Sequence, residues 1–134
     1  MNANNVGSRY PDSFGNFVIA TAVPVPLNAV SNAAAVMSVV GTSYIVRRVT
    51  ISNANATAAT ANVSIITSSD GNAANAVFAT TKLSNITSTT TFQDIAPTAN
   101  AVSNVYSSGA LWVKVTTAVD ATCEVTVYGD IVNL

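Results

Sequence analysis

Nucleophilic catalysis by a hydroxyl or thiol needs a base beside the nucleophile, most often a histidine, and this sequence has no histidine. Serine–histidine and cysteine–histidine arrangements are therefore excluded. The one cysteine, Cys123, alternates in phase with Val125 and Val127, the position of a small core residue. A lone cysteine permits no internal disulfide, and the Cys/His cluster that a zinc site needs is missing. Six carboxylates remain: Asp12, Asp70, Asp94, Asp120, Glu124 and Asp130. Glycoside hydrolysis would need two of them at a fixed separation. Asp70 and Asp120 are explained by turns, Asp12 lies near the amino terminus, Glu124 belongs to an exposed strand face, and Asp94 and Asp130 fall near strand ends. No Asp-rich loop supports a calcium site. Gly71, Gly109 and Gly129 each sit where a turn or strand end accounts for them, so no phosphate loop is present. The expectation is a protein that is not an enzyme and uses no metal or cofactor.

Residues suited to binding are easier to find. Arg47-Arg48 is the most basic spot, read as one exposed and one structural arginine. The alternative is a bidentate grip on a partner's carboxylate. Arg9, Tyr10 and Phe14 punctuate a segment of Asn, Gly, Ser and Pro over residues 1–15. That segment is either a plain loose end or an arm that orders against a partner. Trp112 and Tyr128 fall opposite the apolar rows of their strands, where they form either an exposed binding surface or a second covered layer. The interface candidates are thus Arg9, Tyr10, Phe14, Arg48, Trp112 and Tyr128.

Hydrophobic residues make up 49% of the 134-residue chain and charged residues 8%, against about 25% charged in ordinary soluble proteins. That is ample apolar material for one domain, expected over residues 16–134. Five scattered basic residues and a net charge of −1 cannot support nucleic-acid binding. A nearly neutral surface favours association. No apolar run approaches the roughly 20 residues that span a bilayer, and no leader is evident. No membrane partner and a cytoplasmic site of synthesis are expected. Three Asn-X-Ser/Thr sequences, at Asn55, Asn62 and Asn85, are chance matches in so Asn- and Thr-rich a chain.

The elements that must position these residues all read as strands. The first runs from Asn16 to Val23 and ends at Pro24 and Pro26. The next covers about residues 33–40, despite an Ala33-Ala34-Ala35 run that invites a helix. Tyr44–Ser52 is the clearest strand. Its alternation slips one residue at Arg47-Arg48, as a β-bulge would make it do, the alternative being Arg47 turned inward. Thr60–Thr67 follows, then a turn at Asp70-Gly71 and a partner or near-partner strand over Ala76–Leu83. Thr89–Ile95 and a weak Ala101–Tyr106 come next. Leu111–Thr117 and Thr122–Ile131 both alternate cleanly. A short connection around Val119-Asp120 suggests that they form a hairpin, with Lys114 near Glu124 and Trp112 near Tyr128. About eight short strands at roughly 10–15-residue spacing, without a helix, give an all-β antiparallel sandwich of jelly-roll type. An immunoglobulin-like sandwich is the runner-up.

Four segments carry a family resemblance: Tyr44-Ile45-Val46-Arg47-Arg48-Val49-Thr50-Ile51; Ala61-Asn62-Val63-Ser64-Ile65 leading to Asp70-Gly71; Leu111-Trp112-Val113-Lys114-Val115; and Val125-Thr126-Val127-Tyr128-Gly129-Asp130. In style and order over residues 40–134 they resemble the jelly-roll decoration, or cement, proteins of tailed-bacteriophage capsids. The resemblance implies a virion structural protein on the outer capsid surface, usually a homotrimer at local three-fold axes. Its partner would be the major capsid protein, whose neighbouring subunits it clamps together. The family has no catalytic residues to carry over. A head-fibre or tail-fibre tip that binds a host glycan through Trp112 and Tyr128 is the alternative.

Overall fold

The computed structural model describes residues 17–97 and 104–132. The arm over residues 1–15, with Arg9, Tyr10 and Phe14, lies outside the described residues, as does the start of the weak strand expected over residues 101–106. The described residues contain eight strands: β1 (Phe17–Pro26), β2 (Ser31–Ser38), β3 (Tyr44–Ser52), β4 (Asn62–Ile66), β5 (Thr81–Lys82), β6 (Gln93–Ile95), β7 (Ala110–Thr117) and β8 (Thr122–Ile131). One 3-10 turn, Ala73–Asn75, is capped by the Asn72 side chain, which accepts the Ala74 N–H at 3.0 Å. No helix among the described residues is long and apolar enough to cross a membrane.

The strands form two four-stranded antiparallel sheets, in the orders β1-β8-β3-β6 and β2-β7-β4-β5. Strand pairs 1–8, 2–7, 3–6 and 4–5 are neighbours, which is the nested winding of a jelly roll. The expected fold class is therefore the observed one. Apolar alternation builds the core: Val46, Val49 and Ile51 of β3 and Cys123, Val125 and Val127 of β8 face Val63 and Ile65 of β4 and Leu111, Val113 and Val115 of β7. All are buried in one cluster.

The bulge in β3 is real. Val46 pairs with Gly129 and Arg48 with Tyr128, so Arg47 is the additional residue and the inward row shifts from Tyr44 and Val46 to Val49 and Ile51. At this point the chains approach so closely that a Cβ on Gly129 would run into the Ile45 carbonyl oxygen. Only glycine fits opposite the bulge.

Several expectations are corrected. β7 and β8 are not a hairpin; residues 118–121 carry the chain from one sheet to the other. That crossing is clamped to the end of β1: Leu27 N–H donates to Ala121 O at 2.9 Å and Val119 N–H to Leu27 O at 2.8 Å. β1 does not stop at its prolines but runs through both. It lies at the edge of its sheet, where a missing N–H costs no ladder bond, and its register slips between Ala22 and Val25. The Ala33–Ala35 run is strand as expected, but that strand covers Ser31–Ser38 rather than residues 33–40. The segment after Asp70-Gly71 pairs with β4 only through an Ala76–Ile66 bridge and the two residues of β5. Only Gln93–Ile95 of the Thr89–Ile95 segment is strand. Thr91 Oγ1 instead accepts the N–H groups of Thr87 and Ser88 and donates to Ser88 O, a local bonding pattern that competes with a ladder.

Candidate functional site

No group of three or more His, Cys, Asp or Glu side chains among the described residues could hold a metal ion. Cys123 is buried in the core, and burial pushes its thiol up to about 12, so it stays protonated and unreactive at ordinary pH. Four of the carboxylates, Asp70, Asp94, Glu124 and Asp130, are engaged in local structure. Asp70 accepts the Asn72 N–H at 2.9 Å, which together with the Asn75 amide holds it below the usual carboxylate value. Asp94 accepts from Thr50 Oγ1 at 2.6 Å, and Glu124 from Asn53 Nδ2 at 2.9 Å. Asp130 pairs with Arg47 Nε at 2.8 Å.

The surfaces left for binding are the two outer faces of the sandwich, and they separate the aromatic candidates. β7 and β8 sit in opposite sheets and turn the same apolar phase inward. Trp112 and Tyr128 therefore point away from each other, on opposite outer faces. The structure does not bring them into one platform, and Lys114 and Glu124 are separated for the same reason.

On the first sheet, Tyr128 stands between Val18 of β1 and Arg48 of β3. The Arg48 guanidinium carbon lies 4.3 Å from the Tyr128 ring centroid, a cation–π contact. Its Nε is buried and has no hydrogen-bond partner among the described residues. The expectation of one structural and one exposed arginine at the bulge is corrected: both are half-buried and engaged, Arg47 by Asp130 and Arg48 by Tyr128. The next row across the sheet is Thr21, Thr126, Thr50 and Asp94, a polar stripe.

On the second sheet, Trp112 stands between Val36 of β2 and Ile66 of β4. Here the outer face is partly roofed. Ile66 is fully buried and Ser64 nearly so, although both point away from the central core. The turn after β4 lies over them: Lys114 Nζ donates to Gly71 O at 2.7 Å. Gly71 has a positive φ of 76°, and a Cβ there would strike the Asn32 side chain of β2. Neither sequence alternative holds outright, for Trp112 and Tyr128 are both half-buried; the roof covers Ser64 and Ile66 beside Trp112, while Val36 on its other side stays exposed.

Sequence reading missed Gln93. Its buried side chain accepts the Asn85 N–H at 3.0 Å and donates to Lys82 O at 2.9 Å, tying β6 of one sheet to the flank of the other. A polar residue in phase with buried Ile95 was the available signal.

These features define an eight-stranded jelly-roll sandwich with a charge-poor surface. No protein-family model, curated protein or solved structure matches the chain.

Proposed function

We propose that this chain is a capsid decoration protein, which binds the outer surface of a bacteriophage head and holds neighbouring major capsid protein subunits together. The observation that carries the reading is the winding itself: the strand orders β1-β8-β3-β6 and β2-β7-β4-β5 are the jelly roll that the family resemblance implies. Composition supports it. A protein packed against a shell gains from few charges, because each charge removed from water without a partner costs several kcal/mol. In a homotrimer, three weak contacts act together through effective concentration, so no single site needs high affinity. Arg48 on Tyr128, on the open face of the first sheet, is a rigid anchor of the type that dominates interfaces. The alternative glycan platform loses its support, since its two aromatics lie on opposite faces.

Mixing the purified protein with undecorated heads of the phage that carries its gene tests the reading. Saturable co-sedimentation is expected. Protein that stays in the supernatant at high micromolar concentration overturns it.

A further inference from the structure

The bulge in β3 sets two arginines side by side, and the fold supplies one carboxylate between them. Arg47 Nε donates to Asp130 at 2.8 Å. The other carboxylates on this outer face are engaged elsewhere: Asp94 accepts from Thr50 Oγ1 and Glu124 from Asn53 Nδ2. Arg48 therefore forms no ion pair and no side-chain hydrogen bond among the described residues. Its only polar contact is the Tyr128 ring, 4.3 Å from the guanidinium carbon. Nε is buried without an acceptor. The side chain as a whole is half-buried, which leaves the Nη end as the part of the group open to a partner. Stability gives little reason for an arginine here. A buried N–H without an acceptor costs free energy, and methionine would cover Tyr128 without that cost.

We infer that Arg48, laid against Tyr128, receives the carboxylate of an aspartate or glutamate side chain on a partner protein. A guanidinium that stacks on a ring keeps its hydrogen-bonding edge free, and its two Nη groups match the two oxygens of a carboxylate. The ring holds the group in place, so little side-chain freedom is lost on pairing. Tyr128 and exposed Val18, the neighbours of Arg48 in the same row, give the pair an apolar surround that excludes water. Charge selects the ligand. One unpaired cation matches one carboxylate, whereas Asp94 and Glu124 on the same face disfavour a phosphate or any other multiply charged anion. That the partner is the shell protein rests on the proposed function; the carboxylate site itself does not.

The test is co-sedimentation of the full chain with undecorated heads, either untreated or with surface carboxylates capped as amides by carbodiimide and glycinamide. Arg48→Gln removes the cation, and Arg48→Lys keeps the charge without the fork. Lys82→Gln removes an exposed charge from the second sheet. Circular dichroism checks that the variants fold, and microscopy that capped heads stay intact. On untreated heads, both Arg48 variants should bind about tenfold more weakly or worse, and Lys82→Gln should bind as wild type does. On capped heads, wild type should fall to the level of Arg48→Gln. Wild-type affinity in both Arg48 variants, or an equal loss in Lys82→Gln, overturns the inference and leaves shell binding standing. A difference between wild type and Arg48→Gln that survives capping also overturns it, because Arg48 then meets some other group. A wild type that does not bind untreated heads overturns the shell reading instead, and the guanidinium NMR signals of the full chain then judge the site. A shift of the Arg48 signals in sodium acetate, absent in sodium chloride of equal ionic strength, is expected. Identical spectra in the two salts overturn the site as well.

Discussion

The outer faces of the two sheets start from the same sequence device and end differently. Both β7 and β8 alternate apolar with polar residues, and both put an aromatic on the outward row. Above β8 the face stays open, and its residues interact only sideways: Tyr128 with Arg48, Thr50 with Asp94, Asn53 with Glu124. Above β7 the Asp70-Gly71 turn folds back, Lys114 holds it by a backbone carbonyl, and Ile66 becomes as buried as any residue of the main core. What lies outside a strand is therefore decided by the connection that follows a neighbouring strand. Alternation within the strand fixes only which row faces inward.

The largest effects should fall on the roofed face. Ile66→Ala removes a fully buried side chain and should cost about 2–5 kcal/mol of unfolding free energy, whereas Thr126→Ala, on the open face, should cost less than about 1 kcal/mol. Chemical denaturation measures both, and similar losses would erase the distinction between the faces. Trp112→Ala should come next at about 2 kcal/mol, against about 1 kcal/mol for Tyr128→Ala, which loses a cation–π contact and half-buried area.

High pH acts on the first sheet. Cys123 of β8 and Tyr44 of β3 are both pushed up to about 12, from ordinary values of 9.0 and 10.0. For the thiol the cause is burial; for the phenol it is burial first, then neighbouring Tyr106, opposed by the hydrogen bond to Ser108 O. Both groups keep their protons in the folded state after the unfolded chain has lost them. Stability is thus fully present below pH 9 and falls from there toward pH 12, with a slope of up to about 1.4 kcal/mol per pH unit for each group. Melting temperature against pH should show this decline, and Cys123→Ala should delay its onset to about pH 10, where only Tyr44 remains. An unchanged onset would remove the thiol from the account. The smallest effect is expected for Lys114→Met, about 1 kcal/mol. It should also speed amide exchange around Gly71 while leaving β8 protected.

The sequence disclosed which residues face inward better than which strands are neighbours. β3 and β8 are legible to the residue because β-branched side chains alternate along both, and the one interruption, at Arg47-Arg48, marks the bulge. The β7–β8 hairpin was misread because two amphipathic strands joined by a short link look the same whether they pair side by side or face each other across a core. The link's bonds to Leu27, distant in sequence, decide between these arrangements. Pro24 and Pro26 were read as terminators because edge position is a property of the sheet. Of the interface candidates, Arg48 and Tyr128 meet through cross-strand register across the bulge, and Trp112 is withdrawn from them by the same topology. Thr89–Thr91 carries strand-forming residue types, yet the Thr91 hydroxyl bonds to the backbone of Thr87 and Ser88 instead.

Imaging heads incubated with saturating protein tests the central proposal most directly. The account predicts discrete density on the outer shell at local three-fold axes, sized for three jelly-roll domains. A bare lattice, with the protein free in solution or confined to the tail, would contradict it.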